Sequence, residues 1–222
     1  MGGSGSTVQT LAKNSAEGDD RRAKSFDRLM ALSDGIFAFA ITLLALDLVT
    51  PVIVGHPSDA TLFVALTKEG RSFLGFFVSF WIISTLWQWH QRIFSYIKWS
   101  DLGLIRLNLV LLFFVVLIPF ATRVLNYGFL RLALDVFAMV FIGASLMTSI
   151  IWKYASSQSH HLLCEGVSQK TNEWLSNRGF ISAAIFVLSI FLAFVNPYLT
   201  IACWLSVLPI AFVLDRRYSK TS

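Results

Sequence analysis

Charge is what this chain has least of. Only 14% of its 222 residues are Asp, Glu, Lys or Arg, against about 25% in an average soluble domain, while 55% are hydrophobic. So little charge cannot cover a water-facing surface, which excludes a soluble globular domain and points to an integral membrane protein. Cysteine is nearly missing as well. Cys164 falls in a polar connection and Cys203 in an apolar run, so they give neither a disulfide framework nor metal-ligand spacing, and His160-His161 reads as a loop pair. No nucleophile with a base, no metal set and no phosphate-cradling loop can be found, so no enzyme and no cofactor are expected. The period-two alternation of membrane strands, sustained over ~10 residues, is also lacking, which leaves helices as the spanning elements.

What is present is a series of long apolar runs. They lie at about 26–48, 73–94, 102–124, 129–152, 179–195 and 198–214, each near the ~20 residues that cross ~30 Å of hydrocarbon. The expected fold is therefore all-α with six transmembrane helices, and five spans with one re-entrant segment is the competitor. Asn196-Pro197 separates the last two as a tight hairpin. No repeat relates the two halves, and the paired Gly- or Pro-interrupted spans of an inverted-repeat transporter are not seen.

Most of the 18 Lys and Arg lie in segments on the N-terminal side of the membrane, while Lys68, Arg71, Arg123 and Arg131 lie on the other. The positive-inside rule then makes both termini cytoplasmic, and the net charge of +5 needs no nucleic-acid partner. Residues 1–25 read as a polar, disordered tail that begins with a Gly/Ser-rich expression remnant, Met1-Gly2-Gly3-Ser4-Gly5-Ser6, and no cleavable signal is visible. Residues 26–215 form the membrane domain and 216–222 a basic tail. In the first outer loop, Ser58 or Asp59 is placed to cap a short interfacial helix.

The richest stretch runs from Arg28 through Leu32-Ser33-Asp34-Gly35 into Ile36–Leu46. Ser-Asp-Gly before an apolar run can be a capped helix start, or it can be functional, since charges beside a span are costly unless used. At 1.5 Å per residue, Asp34 lies roughly 9 Å above Arg28, His90 about 12 Å above Lys98 and Asn108 about 10 Å above Asp101. Arg28, Ser33, Asp34, His90 and Asn108 thus share one depth, and a network in which Asp34 accepts from Arg28 or His90 is the economical arrangement. Higher on span 1, Phe39, Leu43 and Leu46 follow i, i+4, i+7 spacing with Thr42 beside them. Such a stripe faces lipid or a neighbouring helix, or else lines a narrow axis as a hydrophobic constriction.

Three motifs in order carry a resemblance. Arg28 with Leu32-Ser33-Asp34-Gly35 is similar to the Arg-x-x-x-Phe-Ser-Asp-Gly signature of the endosomal and lysosomal potassium channel family, transmembrane protein 175, and its prokaryotic members. Trp87, His90 and Phe94 match its Trp-x-x-His-x-x-x-Phe pattern, and Asn108-Leu109 through Ile118-Pro119-Phe120-Ala121-Thr122 its third stretch. The resemblance covers about 28–122 and implies a homotetramer of six-span subunits in a prokaryotic plasma membrane, with span 1 of each subunit lining a pore for potassium ions. It implies pore layers at Phe39, Thr42, Leu43 and Leu46, polar motif residues at Arg28, Ser33, Asp34, His90 and Asn108, and packing motif residues at Gly35, Trp87 and Phe94. It also implies potassium preference without a Thr-Val-Gly-Tyr-Gly filter, a segment this chain lacks. Leu32 replaces the motif phenylalanine, and Phe39 stands where the family usually has Ile or Leu. The alternative of another class is a proton-coupled secondary transporter with His90 and Asp34 as relay.

Overall fold

A computed structural model describes residues 4–48, 51–53, 55–128, 130–157, 162–164 and 167–206. The helices are α1 (Ser4–Leu46), α2 (Asp59–Lys68), α3 (Gly70–Phe94), α4 (Leu102–Leu125), α5 (Arg131–Ala155) and α6 (Gln169–Leu192). A seventh, α7, starts at Pro197 and is described through residue 206. Five of these, α1 and α3 to α6, are long and apolar enough to cross a membrane. The expected sixth span, 198–214, is helical over its first part, and its remainder lies outside the described residues, as does His160-His161. At its start Asn196 Oδ1 accepts from the Tyr198 amide at 2.8 Å, with Pro197 in the first turn, where a missing N–H costs nothing.

Two boundaries differ from the sequence expectation. Residues 4–25, expected to be disordered, are the first part of a single 43-residue helix that runs on into the span. Extending an existing helix adds hydrogen bonds without a new nucleation cost. Pairs one turn apart, Glu17 with Arg21 at 3.8 Å and Asp20 with Lys24 at 2.6 Å, add to it. Likewise α6 starts at Gln169, not near Gly179, because the Ser168 hydroxyl caps it by accepting from the Thr171 amide. Arg178, which precedes the apolar run at 179–195 and so falls by composition in the connection before it, is therefore inside a helix. In the outer loop Ser58 forms a capping box with Thr61 at the start of α2.

The helices pack as α1 on α3 and α4, α4 on α5, and α5 on α6. Small residues set the closest approaches, as membrane helix interfaces require when lipid is as apolar as the side chains. A Cβ on Gly179 would stand 2.4 Å from the Ser145 carbonyl oxygen and 2.4 Å from Ser149 Oγ, and one on Gly143 would stand 2.2 Å from the Phe114 ring. At the end that carries the α1 N-terminus, called the basic end below, Asp101 caps α4 by accepting from the Leu104 amide at 2.7 Å. Its other oxygen accepts from Tyr154 Oη at 2.8 Å. A short antiparallel pair, Ile97 with Leu163, stitches the α3–α4 connection to the α5–α6 connection.

Because the atom facing Gly179 is backbone, rotamer changes cannot relieve a clash there. Gly179→Ala should lower the melting temperature of the detergent-solubilised protein, whereas Gly18→Ala, with nothing within 4 Å, should leave it unchanged or raise it. Equal melting temperatures for the two variants would contradict this packing.

Candidate functional site

Helix α1 divides cleanly around its circumference. Leu29, Ser33, Phe37, Ala40 and Leu44, spaced by three and four, are buried against α3 and α4. Opposite them Leu32, Gly35, Phe39, Thr42 and Leu46 form an exposed line, with Phe39 64% and Leu46 74% exposed. Leu43, grouped with that line by spacing, is half-buried. It lies between Phe39 and the buried Leu44 around the helix, so it belongs to the edge of the stripe. The Thr42 hydroxyl donates to the Phe39 carbonyl at 2.8 Å, which spends its hydrogen on the backbone and leaves its oxygen as an acceptor.

The buried face carries a hydrogen-bonded line across three helices. His90 Nε2 and Asn108 Oδ1 are 2.9 Å apart, Asn108 Nδ2 donates to Ser33 Oγ at 2.9 Å, and Ser33 Oγ donates to the Leu29 carbonyl at 2.9 Å. With the Asn108 amide hydrogens committed to Ser33, its oxygen must accept, so His90 carries its hydrogen on Nε2. Every link then has one donor and one acceptor. All three side chains are fully buried, and the imidazole is held between rings, stacked on Phe94 at 4.3 Å and tilted against Phe37 at 5.5 Å. His90 Nδ1 makes no hydrogen bond among the described residues.

Asp34 belongs to a second, separate contact. Its Oδ1 accepts from Trp87 Nε1 at 2.9 Å and from Gln91 Nε2, both on α3. This corrects the expected wiring, in which Asp34 accepts from Arg28 or His90. Arg28 is exposed and bonds no described residue. Six residues separate Arg28 from Asp34, about 120° around the helix, whereas charged neighbours on a helix lie three or four apart. Ser33 and Asp34 are successive residues and so point to different partners, Ser33 to α4 and Asp34 to α3. His90 and Asp34 therefore do not form the continuous relay that the transporter alternative requires. Gly35 lies on the exposed line, where a Cβ would meet nothing within 4 Å.

Two features escaped the sequence reading. At the far end of α1, Asp47 is tied to Arg123 of α4, with Arg123 Nε donating at 3.0 Å and Nη2 also bonded. Opposite charges at the outer ends of two spans were the available signal, but Arg123 had been weighed only for the charge asymmetry. The third motif contributes Thr122, whose hydroxyl is bonded to Ser79 at 2.7 Å and to the Ile118 carbonyl at 2.8 Å. Helix α1 is thus held to its neighbours at two depths: Ser33 and Asp34 near the basic end, and Asp47 at the far end. The described residues contain no group of His, Cys, Asp and Glu that could hold a metal ion, and both cysteines are free.

Removing Asn108 breaks both interhelical links of the line and leaves His90 Nε2 without an acceptor, at about 1–3 kcal/mol for a buried group left unsatisfied, while the Ser33 hydroxyl keeps its bond to the Leu29 carbonyl. Asn108→Ala should therefore destabilise the solubilised protein more than Ser33→Ala, which breaks one interhelical link and leaves that of His90 with Asn108 in place. An equal or smaller loss for Asn108→Ala in equilibrium unfolding would show that the line is not a connected unit.

Comparison with known proteins bears on the same residues. Residues 28–119 match the family model for the endosomal/lysosomal potassium channel TMEM175. The chain is 32% identical over 181 residues to the potassium channel B446_29190 of Streptomyces collinus, covering 79% of this chain and 85% of that one. It is 30% identical over 194 residues to the potassium channel Cha6605_3372 of Chamaesiphon minutus, covering 84% and 93%. Its fold is similar to the crystal structure of a lysosomal potassium-selective channel TMEM175 homologue from Chamaesiphon minutus, with a TM-score of 0.72 and 26% identity, over 86% of this chain and 99% of that one. The matched region holds the Ser33, Asn108 and His90 line, the Asp34 contact and the exposed stripe of α1. With these matches the chain is placed as a member of the TMEM175 potassium channel family.

Proposed function

We propose that four copies of this chain surround one axis, with α1 of each lining a pore that conducts potassium ions. The observation that carries this is the exposed line on α1. Its large residues, Leu32, Phe39 and Leu46, recur every seven positions, with Gly35 and Thr42 in the intervening turns, on a helix whose other face is fixed to α3 and α4. A seven-residue repeat keeps one seam of a helix facing a symmetry partner. Small residues in that seam let helices approach closely. Membership in a family of potassium channels supports the same assembly.

In this arrangement Phe39 and Leu46 are rings of apolar side chains that pass or block ions by wetting and drying, and Leu43 backs the upper ring. Four phenylalanines form a bulkier ring than Ile or Leu would, which places the narrowest layer at Phe39. Thr42 lies between the rings with its oxygen free to accept. A ring of four such oxygens can replace part of the hydration shell of a dehydrating cation, and a large, weakly hydrated ion such as potassium gives up that water most readily. Selectivity then needs no carbonyl filter of the Thr-Val-Gly-Tyr-Gly kind. The basic end is cytoplasmic by its excess of Lys and Arg, six spans place both termini there, and the membrane is the plasma membrane of a prokaryote. The Ser33, Asp34, His90 and Asn108 contacts hold the helix at the angle that presents the stripe, and Arg28 stands exposed toward its cytoplasmic end.

Purified protein in liposomes should release potassium down its gradient. Phe39→Ala should raise the flux several-fold and lower the preference for potassium over sodium, and Thr42→Ala should reduce the preference with a smaller effect on flux. Flux and preference unchanged in Phe39→Ala, Thr42→Ala and Leu46→Ala would rule out this pore wall.

A further inference from the structure

Two phenylalanines on α1, two residues apart, are used in opposite ways. Phe37 is buried and lays its ring against His90, with ring centres 5.5 Å apart. Phe39 is 64% exposed, and its ring meets no aromatic ring and no cation among the described residues. Both of its faces are therefore uncommitted. With no neighbour holding it, the ring can turn about its terminal torsion, where the preference is broad and roughly two-fold. Aromatic faces carry negative charge density. A ring with free faces beside a path for cations is thus a receptor that Leu or Ile at the same position would not provide.

The neighbouring positions on the exposed line supply the room. Gly35, one turn nearer the basic end, is exposed, and a Cβ built there meets nothing within 4 Å. Leu32 lies a further turn down, about 10 Å from Phe39 along α1. Around a fourfold axis this makes a chamber with Leu32 as floor, Phe39 as roof and bare backbone at its waist. The polar residues next to Gly35 are turned away from it. Asp34 accepts from Trp87 and Gln91, and the Ser33 hydroxyl is spent on Asn108 and the Leu29 carbonyl. Apolar walls under an aromatic roof offer nothing in exchange for the water of a small, tightly hydrated cation. They suit a cation whose charge lies beneath an apolar shell, which is a quaternary ammonium: its charge meets aromatic faces and its alkyl groups leave water.

We infer that the chamber between Leu32 and Phe39 binds quaternary ammonium ions, with the Phe39 rings as the receptor. The inference rests on the proposed fourfold pore of α1 helices. Thr42, one turn beyond Phe39, takes no part, because a quaternary ammonium has no N–H to donate to its oxygen. A bound ion plugs the path, so binding is read as block of potassium current. Phe39 is the narrowest layer, so the block acts only from the side of the basic end.

Potassium current through the full-length protein is recorded in planar bilayers, with tetraethylammonium added to one side and then to the other. The wild type should be blocked from one side only. Phe39→Leu keeps an apolar side chain but removes the ring, and should raise the half-blocking concentration about tenfold or more, measured against the variant's own unblocked current. Phe39→Tyr, which keeps the ring, should be blocked like the wild type. Gly35→Val, which fills the chamber and leaves the ring in place, should weaken the block. Thr42→Ala should leave it unchanged while lowering the preference for potassium over sodium. A wild-type current that tetraethylammonium leaves untouched or blocks equally from both sides would overturn the site and leave the pore standing. So would equal block in Phe39→Leu and Phe39→Tyr, undiminished block in Gly35→Val, or loss of block in Thr42→Ala. Absence of any potassium current, or current indifferent to Phe39→Ala, Thr42→Ala and Leu46→Ala, would remove the pore wall itself and the site with it.

Discussion

The structure turns on one short line of hydrogen bonds, from His90 through Asn108 to Ser33 and the Leu29 carbonyl. In hydrocarbon no water can take the place of a missing partner, so each of these groups must be satisfied from within the protein. The line meets that need with single donors and single acceptors, His90 Nδ1 alone being left without a partner among the described residues, and in doing so it fixes three helices in rotation as well as position. A rotation of α1 by one residue, about 100°, would take Ser33 from Asn108 and Asp34 from Trp87 and Gln91 together. The two contacts on successive residues therefore act as a rotational lock.

From that lock the rest of α1 follows. With Ser33 turned to α4, the helical period turns Phe37, Ala40 and Leu44 inward and leaves Leu32, Phe39, Thr42 and Leu46 outward. The Asp47 to Arg123 pair repeats the constraint at the opposite end. A polar cluster near one face of the membrane thus determines which apolar side chains are presented several turns away. This is how motif residues that touch no ion can matter for conduction in the proposed assembly: they aim the stripe. The α3–α6 contact obeys the same economy, since the buried Arg178 guanidinium is set against the Trp89 ring.

Much of this was legible in the sequence, and the failures share a cause. Hydropathy located the helices because a span needs a run of apolar residues. Rise per residue put Ser33, Asp34, His90 and Asn108 at one depth because helices have a fixed pitch. Rotation about the axis is not encoded so locally. Whether Asp34 meets Arg28, His90 or Trp87 depends on how three helices pack, and the sequence reading paired it with the wrong partners. Arg178 was read as a loop residue because composition marks where hydrocarbon begins, not where a helix begins, and α6 starts ten residues earlier than its apolar run. Residues 4–25 were read as disordered for the same reason. A polar segment that would not hold a helix by itself continues one that the membrane span has already nucleated.

The central claim is that α1 presents Phe39 to the conduction path and Phe37 to the protein interior. Cysteine substitution at the two positions, with Cys164 and Cys203 replaced by serine, separates these environments in a single assay on reconstituted protein. The account predicts that a charged, water-soluble thiol reagent modifies Phe39→Cys and blocks potassium flux, while flux through Phe37→Cys is unaffected. Modification of Phe37→Cys, or flux through modified Phe39→Cys at the level of the untreated protein, would contradict it.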